Sequence, residues 1–283
     1  MSRFSTSLFA LAVSAPLLAL AGAASAADIG EGGGYKDDAY EGGSDWALEG
    51  VKVGGILVVK PTYEGSDEYE AIGFPYLLPQ FSGGPGFFSR IDARGLDDVR
   101  YKLIDTGGFI AGPLAGYNLG RDEDDGDLLQ GMGDVDGGVV LGGFVGYGWQ
   151  WLMFDASYHH TLGDDGGFQV RLGVEAERPI SERVTLTGRI GTTYADGEYM
   201  QNYFGVSTAQ EAASNNAFFD ADAGFKDVHV KVGVKADLDE RWSMRASVGY
   251  SHLLGDASDS SIVETDDQFI GLFGLSYRFD AGN

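Results

Sequence analysis

From position 228 to 238 every even residue is apolar: Val228, Val230, Val232, Val234, Ala236 and Leu238. Between them lie His229, Lys231, Gly233, Lys235 and Asp237. A strand points successive side chains to opposite faces, so this stretch has one greasy face and one charged face. A helix would scatter the same apolar residues around its circumference. The pattern recurs where Phe168, Val170, Leu172, Val174 and Ala176 alternate with Gln169, Arg171, Gly173, Glu175 and Glu177. It recurs again where Trp242, Met244, Ala246, Val248 and Tyr250 alternate with serines and arginines. The spacing predicts about twelve strands, near 46–59, 70–81, 86–94, 97–105, 107–119, 137–148, 150–161, 167–178, 183–194, 225–237, 241–253 and 267–279.

Length and aromatic placement choose between a soluble sandwich and a membrane barrel. These segments run about 10 to 14 residues, against roughly 5–6 for an ordinary soluble strand. Aromatics gather at their ends (Trp46, Tyr117, Tyr147, Trp149, Tyr194, Trp242, Tyr250), as girdles at two membrane interfaces require. The connections alternate too. With the N-terminus in the periplasm, the extracellular stretches 60–69, 120–136, 162–166, 195–224 and 254–266 are long, the one near Gly95 is short, and the periplasmic connections are tight, which is the asymmetry of a bacterial barrel. The expected fold is therefore all-β: a transmembrane antiparallel up-and-down barrel with one long extracellular loop that carries a short helix.

Composition adds the route and the partners. Residues 1–26 read as a secretory signal, with Arg3, an apolar stretch from Leu8 to Leu20, and Ala24-Ser25-Ala26 for cleavage. Residues 27–45 are glycine-rich and read as a flexible periplasmic tail, and 46–283 as the barrel. Mean hydropathy is only −0.10, which suits a barrel whose every second residue faces lipid. Cysteine is absent, so disulfides and thiolate metal sites are excluded. A net charge of −24 argues against nucleic acid as a partner.

The charge is unevenly distributed, which predicts an acidic outer rim over a mixed lumen rich in arginine. The long connections hold acids such as Glu64, Asp122, Glu123, Asp124, Asp125, Asp127 and Glu264, while non-lipid strand positions carry Arg100, Arg171, Arg189, Lys231 and Arg245. These five are the candidate basic wall of a lumen. One reading has lumen cations pairing with Asp92, Asp155, Glu175, Glu177 and Asp227 to fill a narrow barrel. The other is a pore with anion-attracting walls. The run Asp122 to Asp127 does not fit the calcium-loop spacing, and four histidines without an H-E-x-x-H give no zinc site. No cofactor is expected.

Chemistry has one candidate. Asp155, Ser157 and His159 share a strand face, but residues two apart lie about 6.6 Å from each other along a strand. A direct Ser–His hydrogen bond then needs the imidazole to reach back, so no catalytic residue is assigned. In the connection 195–224, Ser207 and Gln210 form a capping box that opens a short helix. Ahead of it, Tyr199, Tyr203, Phe204, Gly205 and Val206 are expensive to leave in water. They are the candidate lid, or the contact with a partner.

Several short pieces together resemble the MipA/OmpV family of outer-membrane proteins, over nearly all of the mature chain. They are Pro61-Thr62-Tyr63-Glu64-Gly65-Ser66-Asp67, Phe74-Pro75-Tyr76, Gly131-Met132-Gly133-Asp134-Val135-Asp136, Tyr203-Phe204-Gly205-Val206-Ser207, Leu254-Gly255-Asp256-Ala257 and terminal Tyr277-Arg278-Phe279. The resemblance implies an outer-membrane barrel in contact with lipid and lipopolysaccharide. It also implies a non-enzymatic scaffold for a periplasmic murein transglycosylase and a penicillin-binding protein, with adhesion or envelope-stress roles described for other members. It brings no catalytic residues.

Overall fold

The computed structural model describes residues 47–82 and 90–280. The expected signal (1–26), the tail (27–45), Trp46, the first part of the segment 86–94 and the last three residues lie outside these. The described chain forms a 13-stranded antiparallel sheet. Its strands are β1 (Ala47–Pro61), β2 (Tyr69–Ser82), β3 (Ile91–Ala93), β4 (Val99–Tyr101), β5 (Ile104–Thr106), β6 (Phe109–Arg121), β7 (Val135–Trp149), β8 (Leu152–Thr161), β9 (Gly167–Pro179), β10 (Val184–Ala195), β11 (Gly224–Asp237), β12 (Trp242–Leu253) and β13 (Asp267–Asp280). From β6 onward each strand pairs with the next, and β13 pairs with β1, so the two ends of the chain meet in one sheet. The edges of the described sheet are β2 and β3. Pro75 and Pro79 stand in β2, an edge strand, where a missing donor is tolerated.

One expected strand is divided. The segment 97–105 breaks at Lys102-Leu103 into β4 and β5, both of which pair with β6. The turn between β3 and β4, expected at the outer rim near Gly95, lies inside instead. Leu96 carbonyl accepts from the Tyr117 amide at 3.0 Å. A Cβ on Gly116 of β6 would sit 2.4 Å from the Asp97 carbonyl carbon, so only glycine permits this approach.

The alternation read from the sequence fixes the faces. Val228, Val230 and Val232 are exposed on the outside while Asp227 and His229 point inward, and a bulge opposite Thr193–Tyr194 turns Lys226 inward as well. On β8, Phe154 and Tyr158 face out, and Asp155, Ser157, His159 and Thr161 are buried inside. Ring contacts run in sequence from His160 to Tyr158, Phe168, Tyr194 and Phe225, making a belt near the long-loop end. Trp242, Tyr277 and Phe279 form a second group near the short-turn end. Along β8, the step from Leu152 to His160 spans about 19–22 Å of membrane once rise and an ordinary barrel-strand tilt are combined. That matches a lipid-facing band.

Helices occur only in the connections among the described residues: α1 (Gly197–Phe204), α2 (Thr208–Ala213) and α3 (Asp256–Asp259). Asp196 caps α1 by accepting from the Tyr199 amide, and Ser207 with Gln210 caps α2 in the box the sequence predicts.

Candidate functional site

The long connections fold together over one end of the lumen. Tyr199, Met200, Tyr203 and Phe204 of α1 pack with Val135, Ala195, Ala221, Leu253 and Ala257. A second cluster joins Tyr63, Leu129, Met132, Val206 and Ile262. Phe204 and Val206 are 0 % exposed. Backbone groups of α1 are tied from both sides: Arg121 donates to the Tyr203 carbonyl at 3.0 Å, and Ser260 to the Phe204 carbonyl at 2.5 Å. Asn216 and Gln210 donate to the carbonyls of Leu128 and Met132. The result is a cap made of four connections, with a core of its own.

The acids of these connections are not all at the rim. Glu64, expected there, is buried and pairs with Lys226 of β11 at 2.7 Å. Tyr199 donates to the same carboxylate at 3.4 Å, and the Lys226 ammonium lies 5.7 Å from the Tyr199 ring centre. Tyr63 shares its hydroxyl proton between the Ile262 carbonyl and Glu264. Burial, and then nearby carboxylates, push the phenols of Tyr63, Tyr199 and Tyr203 well above their ordinary range. The acidic run spends its carboxylates on amides, with Asp125 accepting from the Asp122 amide and Asp134 from that of Glu123. No cluster of three or more metal-ligating side chains occurs among the described residues.

Below the cap, the lumen is crossed by an ion-pair network. Asp155, whose side chain is 0 % exposed, meets Arg189 at 2.7 Å, Arg100 at 3.3 Å and Arg94 at 3.6 Å. Glu175 adds contacts to Arg94 and Arg189, Asp98 holds Arg100 at 2.8 Å, and Arg171 pairs with Asp97. Arg100 also lies over the Phe144 ring, beside the inward cluster Ile110, Leu114, Val140 and Phe144. So three of the five basic-wall candidates, Arg100, Arg171 and Arg189, are neutralised by acids. Of the other two, Lys231 stands opposite Arg189 beside the cavity under the cap, and Arg245, opposite Lys235, lies nearer the short-turn end. Asp97 and Asp98, expected to open the strand segment 97–105, lie instead in the β3–β4 turn ahead of β4. They enter because the β3–β4 turn folds inward.

His159 does reach back: its Nε2 lies 2.9 Å from Ser157 Oγ. The expected spacing objection therefore falls. Ser157 also accepts from Arg100 at 3.2 Å, and Ser157 and His159 are each 3 % exposed. The cavity beside His159 is about 10 Å³, room for one water at most. A substrate has no place there. The larger cavity, about 120 Å³, lies under the cap among Glu64, Arg171, Arg189, Lys226, Asp227 and Lys231.

Long tilted antiparallel strands, an apolar outer band between aromatic belts and a polar interior define an outer-membrane β-barrel protein. The chain belongs to the family described as MltA-interacting protein MipA, whose pattern it matches over residues 53–279. It is similar to the putative outer membrane protein YiaT of Escherichia coli K12, 29 % identical over 119 residues. That match covers 42 % of this chain and 48 % of YiaT, about half the length of that relative. It is also similar to the outer membrane protein OmpV of Vibrio cholerae and to Omp26La of Vibrio anguillarum, each at 25 % identity over 65 % of this chain and 72 % of the relative. Its location is the outer membrane.

Proposed function

We propose that this protein is a non-conducting, non-catalytic barrel that anchors a periplasmic cell-wall assembly at the outer membrane. The observation that carries this reading is the lumen, which is crossed by the Asp155 network and covered by the α1 cap. The cap comprises the candidate lid, with Tyr199, Tyr203, Phe204, Gly205 and Val206 seated on the extracellular mouth. The family description names MltA as the interacting protein, and with the resemblance to a murein-transglycosylase scaffold that supports the periplasmic half of the proposal. A penicillin-binding protein is the second proposed partner, and residues 27–45 are the proposed docking segment.

Two measurements test it. In planar bilayers the full-length protein stays silent, and steady single-channel steps would overturn the closed-lumen reading. Pulldown of a murein transglycosylase with the full chain succeeds, and deletion of residues 28–44 abolishes it. Equal recovery without those residues removes the segment as the docking element.

A further inference from the structure

Four cations stand on the inner face near the short-turn end, in two directly opposed pairs. Lys52 of β1 faces Arg278 of β13, and Lys235 of β11 faces Arg245 of β12. Register puts the first pair on the side of the buried Val58 and the second on the side of Asp227. Like charges directly opposite on a sheet repel, so each pair is costly unless an anion lies between its members. The acids of this face are Glu177, 2.6 Å from Lys235, and Asp280, 2.9 Å from Arg278, with Asp237 at the rim. Lys52 makes no hydrogen bond or ion pair among the described residues. Lys52, Lys235 and Arg245 are partly exposed and Arg278 is exposed, so this surface is open to water. Beside Lys52, the inward Leu78 of β2 is 39 % exposed.

The chain carries an anion suited to this surface. Residues 28–45, outside the described residues, lead into β1 at its short-turn end. They hold Asp28, Glu31, Asp37, Asp38, Glu41 and Asp45 against Lys36 alone, with Tyr35 and Tyr40 among them. Two lengths agree. Glu41 precedes Ala47 by six residues and Lys52 follows it by five. A chain that reverses just ahead of Ala47 therefore brings Glu41 back to the level of Lys52, at about 3.3 Å per residue. Arg278 lies four positions along β13 from Gly274, the residue that faces Arg245. Glu41 lies the same four positions from Asp37, so an extended segment meets both cation pairs at once, about 13 Å apart along the strand. The tether at Ala47 supplies an effective concentration of about millimolar, so individually weak contacts suffice.

We propose that residues 28–45 seat on the inner face of the short-turn mouth, with Glu41 at Lys52 and Arg278 and with Asp37 and Asp38 at Arg245 and Lys235. The tyrosines of the segment give Leu78 an apolar neighbour. This contact lies within one chain and needs no cell-wall enzyme. An enzyme that docks on the same segment competes with the mouth for it.

The test uses spin labels at Ala39→Cys in the segment and Glu240→Cys in the β11–β12 turn, which are clean reporters because the chain has no cysteine. The otherwise intact protein, without any partner, is placed one copy to a phosphatidylcholine nanodisc, and double electron–electron resonance reads the distance between the labels. A narrow, short-distance population is expected, and it shrinks at about 1 M salt. Neutralising the segment (Asp37→Asn with Asp38→Asn and Glu41→Gln) changes no strand residue. It lowers the ratio of seated to free molecules by about threefold or more, the effect of losing three exposed ion pairs. Lys52→Gln moves the ratio the same way, and if that variant does not fold the segment variant decides. A broad distribution in the labelled parent overturns the proposal, as does a narrow one indifferent to salt and to the three substitutions. A short distance that appears only in liposomes with many copies assigns the mouth to a second chain and overturns it too. Since no enzyme is present, failure here leaves the pulldown result untouched.

Discussion

Asp155 is the residue on which the interior charge turns. One buried carboxylate faces three guanidiniums, so its removal leaves cations confined together away from water. Asp155→Ala is expected to destabilise the barrel by about 3–5 kcal/mol, the scale for breaking a buried pair from one side. Urea unfolding in lipid vesicles, followed by tryptophan fluorescence, measures this, and a loss under about 1 kcal/mol would make the network ornamental. The tyrosines of the cap give the fold an alkaline pH dependence. Tyr63, Tyr199 and Tyr203 have folded values raised above the unfolded one, so their contribution is complete below about pH 10 and is lost as pH rises beyond it. Protease access to the 196–223 connection should therefore rise above that pH and stay flat below it.

At the scale of elements, the inward β3–β4 turn and the helix α1 are the decisive pieces. The turn depends on Gly116. Gly116→Val should push the Asp97 backbone off β6 and separate Asp97 from Arg171. Because the chain has no cysteine, a single Leu96→Cys reporter is clean, and it should gain maleimide reactivity in the valine background. Unchanged reactivity would mean that the turn does not need the glycine. For α1, Phe204→Ala removes a fully buried ring from the cap at a cost of about 3–5 kcal/mol. Proteolysis within 196–223 should accelerate while the strands stay protected. The helix α2 was legible from its capping box, Ser207 with Gln210. α1 was not, although Asp196 offers a cap, because its apolar residues read as a loop that needs cover. Glu64 was misplaced at the rim for a related reason: its partner Lys226 lies 162 positions away, and no local pattern joins them.

For the whole molecule, the proposed closed lumen rests on two layers, the cap and the Asp155 network. Deleting the 196–223 connection removes only the first. Conductance in planar bilayers should then remain small, and a large pore on deletion would assign the seal to the cap alone. The sequence by itself determined the strand period, the lipid and lumen faces, ten of its twelve expected long segments and the alternation of long and short connections; 86–94 and 97–105 became three short strands. Each of these is a property of neighbouring residues, two apart along a strand, and the membrane enforces it at every turn. Only the tertiary structure decided what fills the lumen. The partners of Arg94, Arg100, Arg171 and Arg189 come from a turn that folds inward and from strands remote in the chain. The pairing of Ser157 with His159 likewise depends on a side-chain rotation that spacing does not specify. Charge without a face pattern has no period to read, and its partner is set by packing.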